Sequence, residues 1–205
     1  MKFPAVQFPV NSMRCVLACA SVIAIPACAT TATRSSAVPV TATATTVVVV
    51  RHAEKSTDDP RDPTLSAVGQ ERARALRAVL RNAGVTDIYT TQYKRTRQTA
   101  EPLAQQTGIA ITERPANAAN SATYARDLAQ EILTRSAGKG VLVVGHSNTV
   151  AAIVAALGGA TLRDFCEPEY DNLVTVVIDA GGAVRTVRAK YGTATPVDPA
   201  CAAMR

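Results

Sequence analysis

Two apolar runs, "VVVV" at 47–50 and "VLVV" at 141–144, each give way within two residues to a histidine. Runs that are apolar at every position, rather than at alternate ones, suit strands covered on both faces. Between and after them lie amphipathic segments of helical length, and that alternation builds a mostly parallel sheet with helices on either side. The expected fold class is α/β, a three-layer sandwich whose sheet ends in a C-terminal edge hairpin.

The first strand is expected over 46–50. Ser66 suits an N-cap and starts a helix ending near Gly84, with Ala73, Leu76, Val79 and Leu80 on its inner face. A short strand over 87–91 precedes a helix over 95–107, in which Pro102 predicts a kink. A third strand over 109–112 and a third helix over 121–137 follow, the helix carrying Tyr124, Leu128 and Ile132 on one face. A fourth strand spans 140–145, and a helix over 148–157 stops at Gly158-Gly159. The segments "LVTVVID" and "VRTVRAK", joined through Gly181-Gly182, read as the hairpin.

The 205 residues suit one domain, and the chain divides at its N-terminal side. Residues 1–29 read as a secretory or lipoprotein signal, because Arg14 precedes an apolar stretch from Cys15 to Ala27. That stretch is shorter than the ~20 residues needed to span a bilayer. Ala27-Cys28-Ala29 fits a small-residue cleavage site, whereas "IPAC" ending at Cys28 resembles a lipoprotein box that would tether the chain to a membrane. Both routes stay open, and both place the protein in the bacterial periplasm. Residues 30–45, rich in Thr and Ala, read as a flexible tether, leaving 46–205 as the folded domain. Of five cysteines only Cys166 and Cys201 fall in that domain, and export would permit a disulfide between them.

The formal charge is +6, and falls to +4 (6 − 2) if cleavage removes Lys2 and Arg14. Arginines 72, 74, 77 and 81 cluster in the first helix. No basic-plus-aromatic pattern accompanies them, so they read as a solvated face and no nucleic-acid partner is expected.

In an open parallel sheet, ligands bind outside the carboxyl ends of the strands. Arg51 and His52 follow the first strand, Arg95 follows the second, and His146 follows the fourth. The chain's two histidines and two of its arginines are thus delivered to one rim. A guanidinium at such an edge needs an anionic partner, and its forked donors match phosphate oxygens. Backbone N–H groups around Asn148, at the start of a helix, would favour the same anion.

Four segments in order, "VVVVRHAEK", "LSAVGQERARAL", "YKRTRQTAEPLA" and "VLVVGHSNTV", resemble the histidine phosphatase superfamily, the phosphoglycerate-mutase-like fold. The resemblance covers roughly 47–157 and extends more loosely to "EYDNLVTV". It implies hydrolysis of a phosphomonoester through a phosphohistidine at His52, with Arg51, Arg95 and His146 binding the phosphate and no metal or cofactor. Its substrate would be a phosphorylated small molecule or a phosphoprotein. Ala53 stands where the family commonly has glycine. The general acid is open among Glu113, which matches best by position, Glu54, Asp58 and Asp59. Substrate choice would rest in rim loops at 56–64 and 114–124.

Rival readings are weaker. "GHSNT" lacks the last glycine of a serine-hydrolase elbow, and no histidine follows His146 to serve as base. "HAE" at 52–54 lacks the P-C-x-x-C that a zinc deaminase requires, and no metal-site spacing is present. Two alternatives share the pocket: an exported phosphate-binding pseudo-enzyme without turnover, and a phosphomutase. The short segment between Arg95 and His146 leaves little room for a mutase's insertions.

Overall fold

The computed structural model describes residues 43–196. The signal-like segment, nearly all of the tether, Cys28 and Cys201 lie outside the described residues. The elements are β1 (Thr45–Arg51), α1 (Ala67–Leu80), β2 (Val85–Thr90), α2 (Lys94–Thr107), β3 (Ile111–Glu113), α3 (Tyr124–Arg135), β4 (Gly140–Gly145), α4 (Val150–Ala156), β5 (Asn172–Ile178) and β6 (Val184–Lys190). They form one six-stranded sheet in the order β3-β2-β4-β1-β5-β6. The pairs β1–β4, β2–β4 and β2–β3 are parallel, while β1–β5 and β5–β6 are antiparallel. The sheet is therefore mostly parallel, and the expected hairpin occupies one end, with β6 at the edge.

The valine runs behave as their composition predicts. Val47 and Val49 of β1 join Val141 and Val143 of β4 in a core covered by Leu128 and Ile132 of α3 and Ile153 and Val154 of α4. Val48, Val50, Leu142 and Val144 face the other way, against Leu76 and Leu80 of α1 and Leu103 of α2. Each side chain so buried contributes about 1.5–3 kcal/mol, and the two faces make three layers. Among the described residues no helix is long and apolar enough to cross a membrane.

Several local expectations shift. β1 begins at Thr45, one residue inside the expected tether. Ser66 does cap α1, accepting from the Gly69 N–H at 3.1 Å, but the helix ends at Leu80, short of Gly84. Val79 is more than half exposed, so the inner face is narrower than its apolar stripe. Arg72 is buried and not part of a solvated face, because it turns inward to Glu54. Pro102 lies inside α2 without ending it. β3 starts at Ile111 rather than Ile109, and α3 is trimmed to 124–135, with Tyr124, Leu128 and Ile132 buried as expected. α4 starts at Val150, and Asn148 lies in the turn before it. The N–H groups of Thr149 and Val150 are both taken by the carbonyl of His146, so that turn offers an anion less than a helix start would.

Candidate active site

The parallel pairing of β1 with β4 aligns Arg51 with Gly145, and the His52 N–H donates to the Gly145 carbonyl at 2.9 Å. Two adjacent strands thus end in register, which sets the two imidazoles edge to face with ring centroids 5.4 Å apart. Arg95, in the first turn of α2, stacks on Tyr93 at 4.2 Å, and Tyr93 in turn meets the His146 ring at 5.4 Å. All four expected residues, Arg51, His52, Arg95 and His146, stand at this end of the sheet.

His52 is buried, and its Nδ1 lies 2.8 Å from the carbonyl of Ala53. A carbonyl only accepts, so Nδ1 carries the proton and Nε2 keeps a free lone pair. Burial pushes the His52 pKa down to about 3, and His146, Arg51 and Arg95 push the same way against the Ala53 hydrogen bond. The ring is neutral at any ordinary pH. His146 is lowered to about 4, first by burial and then by Arg95, Arg51 and Lys55. Its Nε2 meets the Thr91 hydroxyl at 3.0 Å, which meets the Thr96 hydroxyl at 2.9 Å. Thr96 spends its own proton on the carbonyls of Tyr93 and Thr91, so Thr91 donates to Thr96 and accepts from His146. Neutral His146 is thereby protonated on Nε2.

Arg51 is held from the far side of the sequence. Its Nη1 donates to the carbonyls of Cys166 and Glu167, both at 2.8 Å. Its Nη2 donates to the Glu167 carboxylate at 2.8 Å and to the Tyr170 hydroxyl at 3.3 Å, and the Tyr170 ring packs under the guanidinium at 4.1 Å. Cys166, which starts this loop, is disulfide-bonded; its expected partner Cys201 lies outside the described residues. Among the described residues the buried Nε atoms of Arg51 and Arg95 find no hydrogen-bond partner. The only ion pair of Arg95 among the described residues is a loose one to Asp62, at 3.9 Å.

The four carboxylates considered for the general acid are engaged elsewhere. Both oxygens of Glu54 are held by Arg72, with N–O distances of 2.7–2.9 Å. Glu113 pairs with Arg97 on the outer strand. Asp58 is exposed, and hydrogen bonds from Ser56 and Thr64 hold its carboxyl down at about 2. Asp59 is half-buried and held below its usual range by the N–H groups of Arg61 and Asp62. The carboxylates that do reach the pocket's arginines are Asp62, beside Arg95, and Glu167, on Arg51. Neither stood out in the sequence, although Glu167 lies just ahead of the "EYDN" stretch that extends the motif pattern. Partial burial works against ionisation of Glu167, but Arg51 and Lys55 outweigh it and hold its pKa below the usual value. Among the described residues no cluster of His, Cys, Asp and Glu is arranged to hold a metal.

The mostly parallel α/β sheet thus ends in a rim that carries two facing histidines and two arginines. Residues 47–116 match the family model described as "Histidine phosphatase superfamily (branch 1)". No curated protein matches the chain. Among solved structures, the mycobacterial glucosyl-3-phosphoglycerate phosphatase superposes with a TM-score of 0.52 at 17% identity, over 74% of this chain and 100% of that one. The protein histidine phosphatase SixA, solved with tungstate, gives 0.51 at 18%, over 71% and 96%. Bacillus stearothermophilus YhfR gives 0.52 at 18%, over 74% and 96%. At these identities the likeness establishes the shared fold. The match over residues 47–116 and the shared fold make the chain similar to the histidine phosphatase superfamily.

Proposed function

We propose that this protein hydrolyses phosphomonoesters through a phosphohistidine at His52. The observation that carries the reading is the hydrogen bond from His52 Nδ1 to Ala53, which leaves Nε2 as a neutral nucleophile beside two arginines. In the first step Nε2 forms a bond to phosphorus, the bond to the leaving oxygen breaks, and a carboxylic acid gives that oxygen a proton. In the second step water attacks phosphorus, the P–N bond breaks, and the carboxylate takes the water's proton. Arg95, Arg51 and His146 stabilise the equatorial oxygens of both transition states. An entering anion supplies the acceptor that the arginine donors lack. It also opposes two of the causes that depress His146, which favours the imidazolium as a third cationic donor. Asp62 and Glu167 are the carboxylates placed to act as acid.

A phosphate-binding role without turnover is the second reading. It is favoured by one observation: all four acids expected from the sequence point away from the pocket. Hydrolysis of p-nitrophenyl phosphate in the presence of chelator, by the domain from Thr30 onward and by its His52→Ala variant, separates the two. Turnover lost only in the variant supports the enzyme. Folded protein that binds phosphate without turnover supports the binder. We also propose export to the periplasm on the strength of residues 13–29. Fractionation of cells carrying the full chain or its Cys28→Ser variant tests both the compartment and the tether.

A further inference from the structure

A cavity of about 400 Å³ opens beside the pocket, and its lining includes His146 and Arg95. The 166–170 loop, whose carbonyls and carboxylate take the donors of Arg51, contributes nothing to this lining. A phosphate resting on His146 and Arg95 therefore directs its organic group into this cavity.

The cavity wall is built in advance. Gln92, just after β2, clamps the backbone of Ala116 with both ends of its amide, at 3.0 and 2.9 Å. Asn117 and Asn120 cap one another's backbone in the short turn that follows. Arg114 and Glu131 pair at the base of the same segment. A wall fixed by these contacts selects its occupant by chemistry more than by adaptation.

Among the described residues, Arg95 and His146 are the only charged or readily ionised groups in the lining. The remainder is alanine, including Ala116, Ala118 and Ala152, with tyrosines and uncharged polar side chains. The side chains of Tyr124 and Asn148 line the cavity and make no hydrogen bond to other described residues, so they are donors and acceptors available to a ligand. Lys55, the remaining cation near His146, lies outside the cavity and pairs with Glu167 at 3.3 Å. A carboxylate or second phosphate on the leaving group would leave water here without meeting a cation of its own, which is costly.

Resting on the phosphatase reading, we infer that the physiological substrate is a phosphomonoester with an uncharged, hydroxyl- or amide-bearing leaving group, and that esters with an anionic leaving group are discriminated against. The cavity supplies hydrogen bonds and apolar contact to the first kind and no second positive charge to the other.

A matched pair tests this: 4-carbamoylphenyl phosphate and 4-carboxyphenyl phosphate, nearly identical in shape and differing in charge. The kcat/KM of each, corrected for its uncatalysed rate, is measured with wild type and with Ala118→Lys, which adds a cation at an exposed position on the wall. The carbamoyl ester is expected to be favoured about tenfold or more, the scale of one unpaired charge. The preference is expected to shrink severalfold in Ala118→Lys. Equal rates, or preference for the carboxylate in wild type, would overturn the inference while leaving the phosphatase reading intact. Turnover of neither ester would overturn the phosphatase reading and the inference with it.

Discussion

Acidification is expected to destabilise this protein through the two histidines at the sheet's rim, and replacing His52 with Gln is expected to remove about half of that effect. The folded protein holds His52 at about 3 and His146 at about 4, against 6.5 for an ordinary histidine. Above pH 6.5 neither the folded nor the unfolded state protonates them, so they contribute no pH dependence. As the pH falls below 6.5 the unfolded chain takes up protons that the folded chain refuses, and stability is lost. The loss is about 1.4 kcal/mol per pH unit per histidine, and it continues until the folded values are reached. At pH 5, 1.5 units below 6.5, each histidine has withdrawn about 2 kcal/mol, a large share of the ~5–15 kcal/mol typical of a domain. The assay is urea unfolding at pH 7, 6 and 5 for wild type and His52→Gln. The stability difference between the two proteins is expected to move by about 2 kcal/mol in favour of the variant between pH 7 and pH 5. A difference that stays constant with pH would refute the claim that His52 is held neutral by its surroundings.

Other expectations follow from the contacts around the pocket. Arg72→Ala strands the partly buried Glu54 carboxylate and is expected to cost about 3 kcal/mol in urea unfolding, with little change in the activity of whatever fraction remains folded. Gly69→Ala would place a Cβ 2.3 Å from the backbone oxygen of Glu54, so a marked drop in Tm is expected on thermal unfolding. Asp62→Asn and Glu167→Gln distinguish the two candidate acids. The variant that removes the proton donor is expected to lose ~10²–10⁴-fold in kcat on alkyl phosphates and far less on p-nitrophenyl phosphate, whose leaving group needs little protonation. A uniform loss on both esters would mean that the residue only positions its arginine.

The fold was legible because its signals are local. The valine runs marked β1 and β4 by composition, Ser66 marked the start of α1 by its capping chemistry, and Gly181-Gly182 marked the hairpin. The rim was legible for a related reason: residues just past a buried parallel strand emerge together, and the β1–β4 register delivers His52 beside His146. What escaped depends on contacts between distant segments. Arg72 sat in a run of arginines that suggested solvent, and its partner Glu54 lies 18 positions away. Glu167 and Tyr170 reach Arg51 across more than 110 positions, a neighbourhood that no periodicity encodes. Asp62 reaches Arg95 from a polar rim loop whose other acids, Asp58 and Asp59, face outward in local turns. Val79 was misplaced because the apolar stripe of α1 is broader than the face its neighbours cover.

Trapping the covalent intermediate reports on the proposed role of His52 itself. Wild type is mixed with ³²P-labelled p-nitrophenyl phosphate, quenched in base within the first turnovers, digested, and mapped by peptide. The expected label survives base, is released by acid, and resides on the peptide carrying His52, with none in His52→Ala. Steady turnover with no such label on His52, or label carried by a different residue, would contradict it.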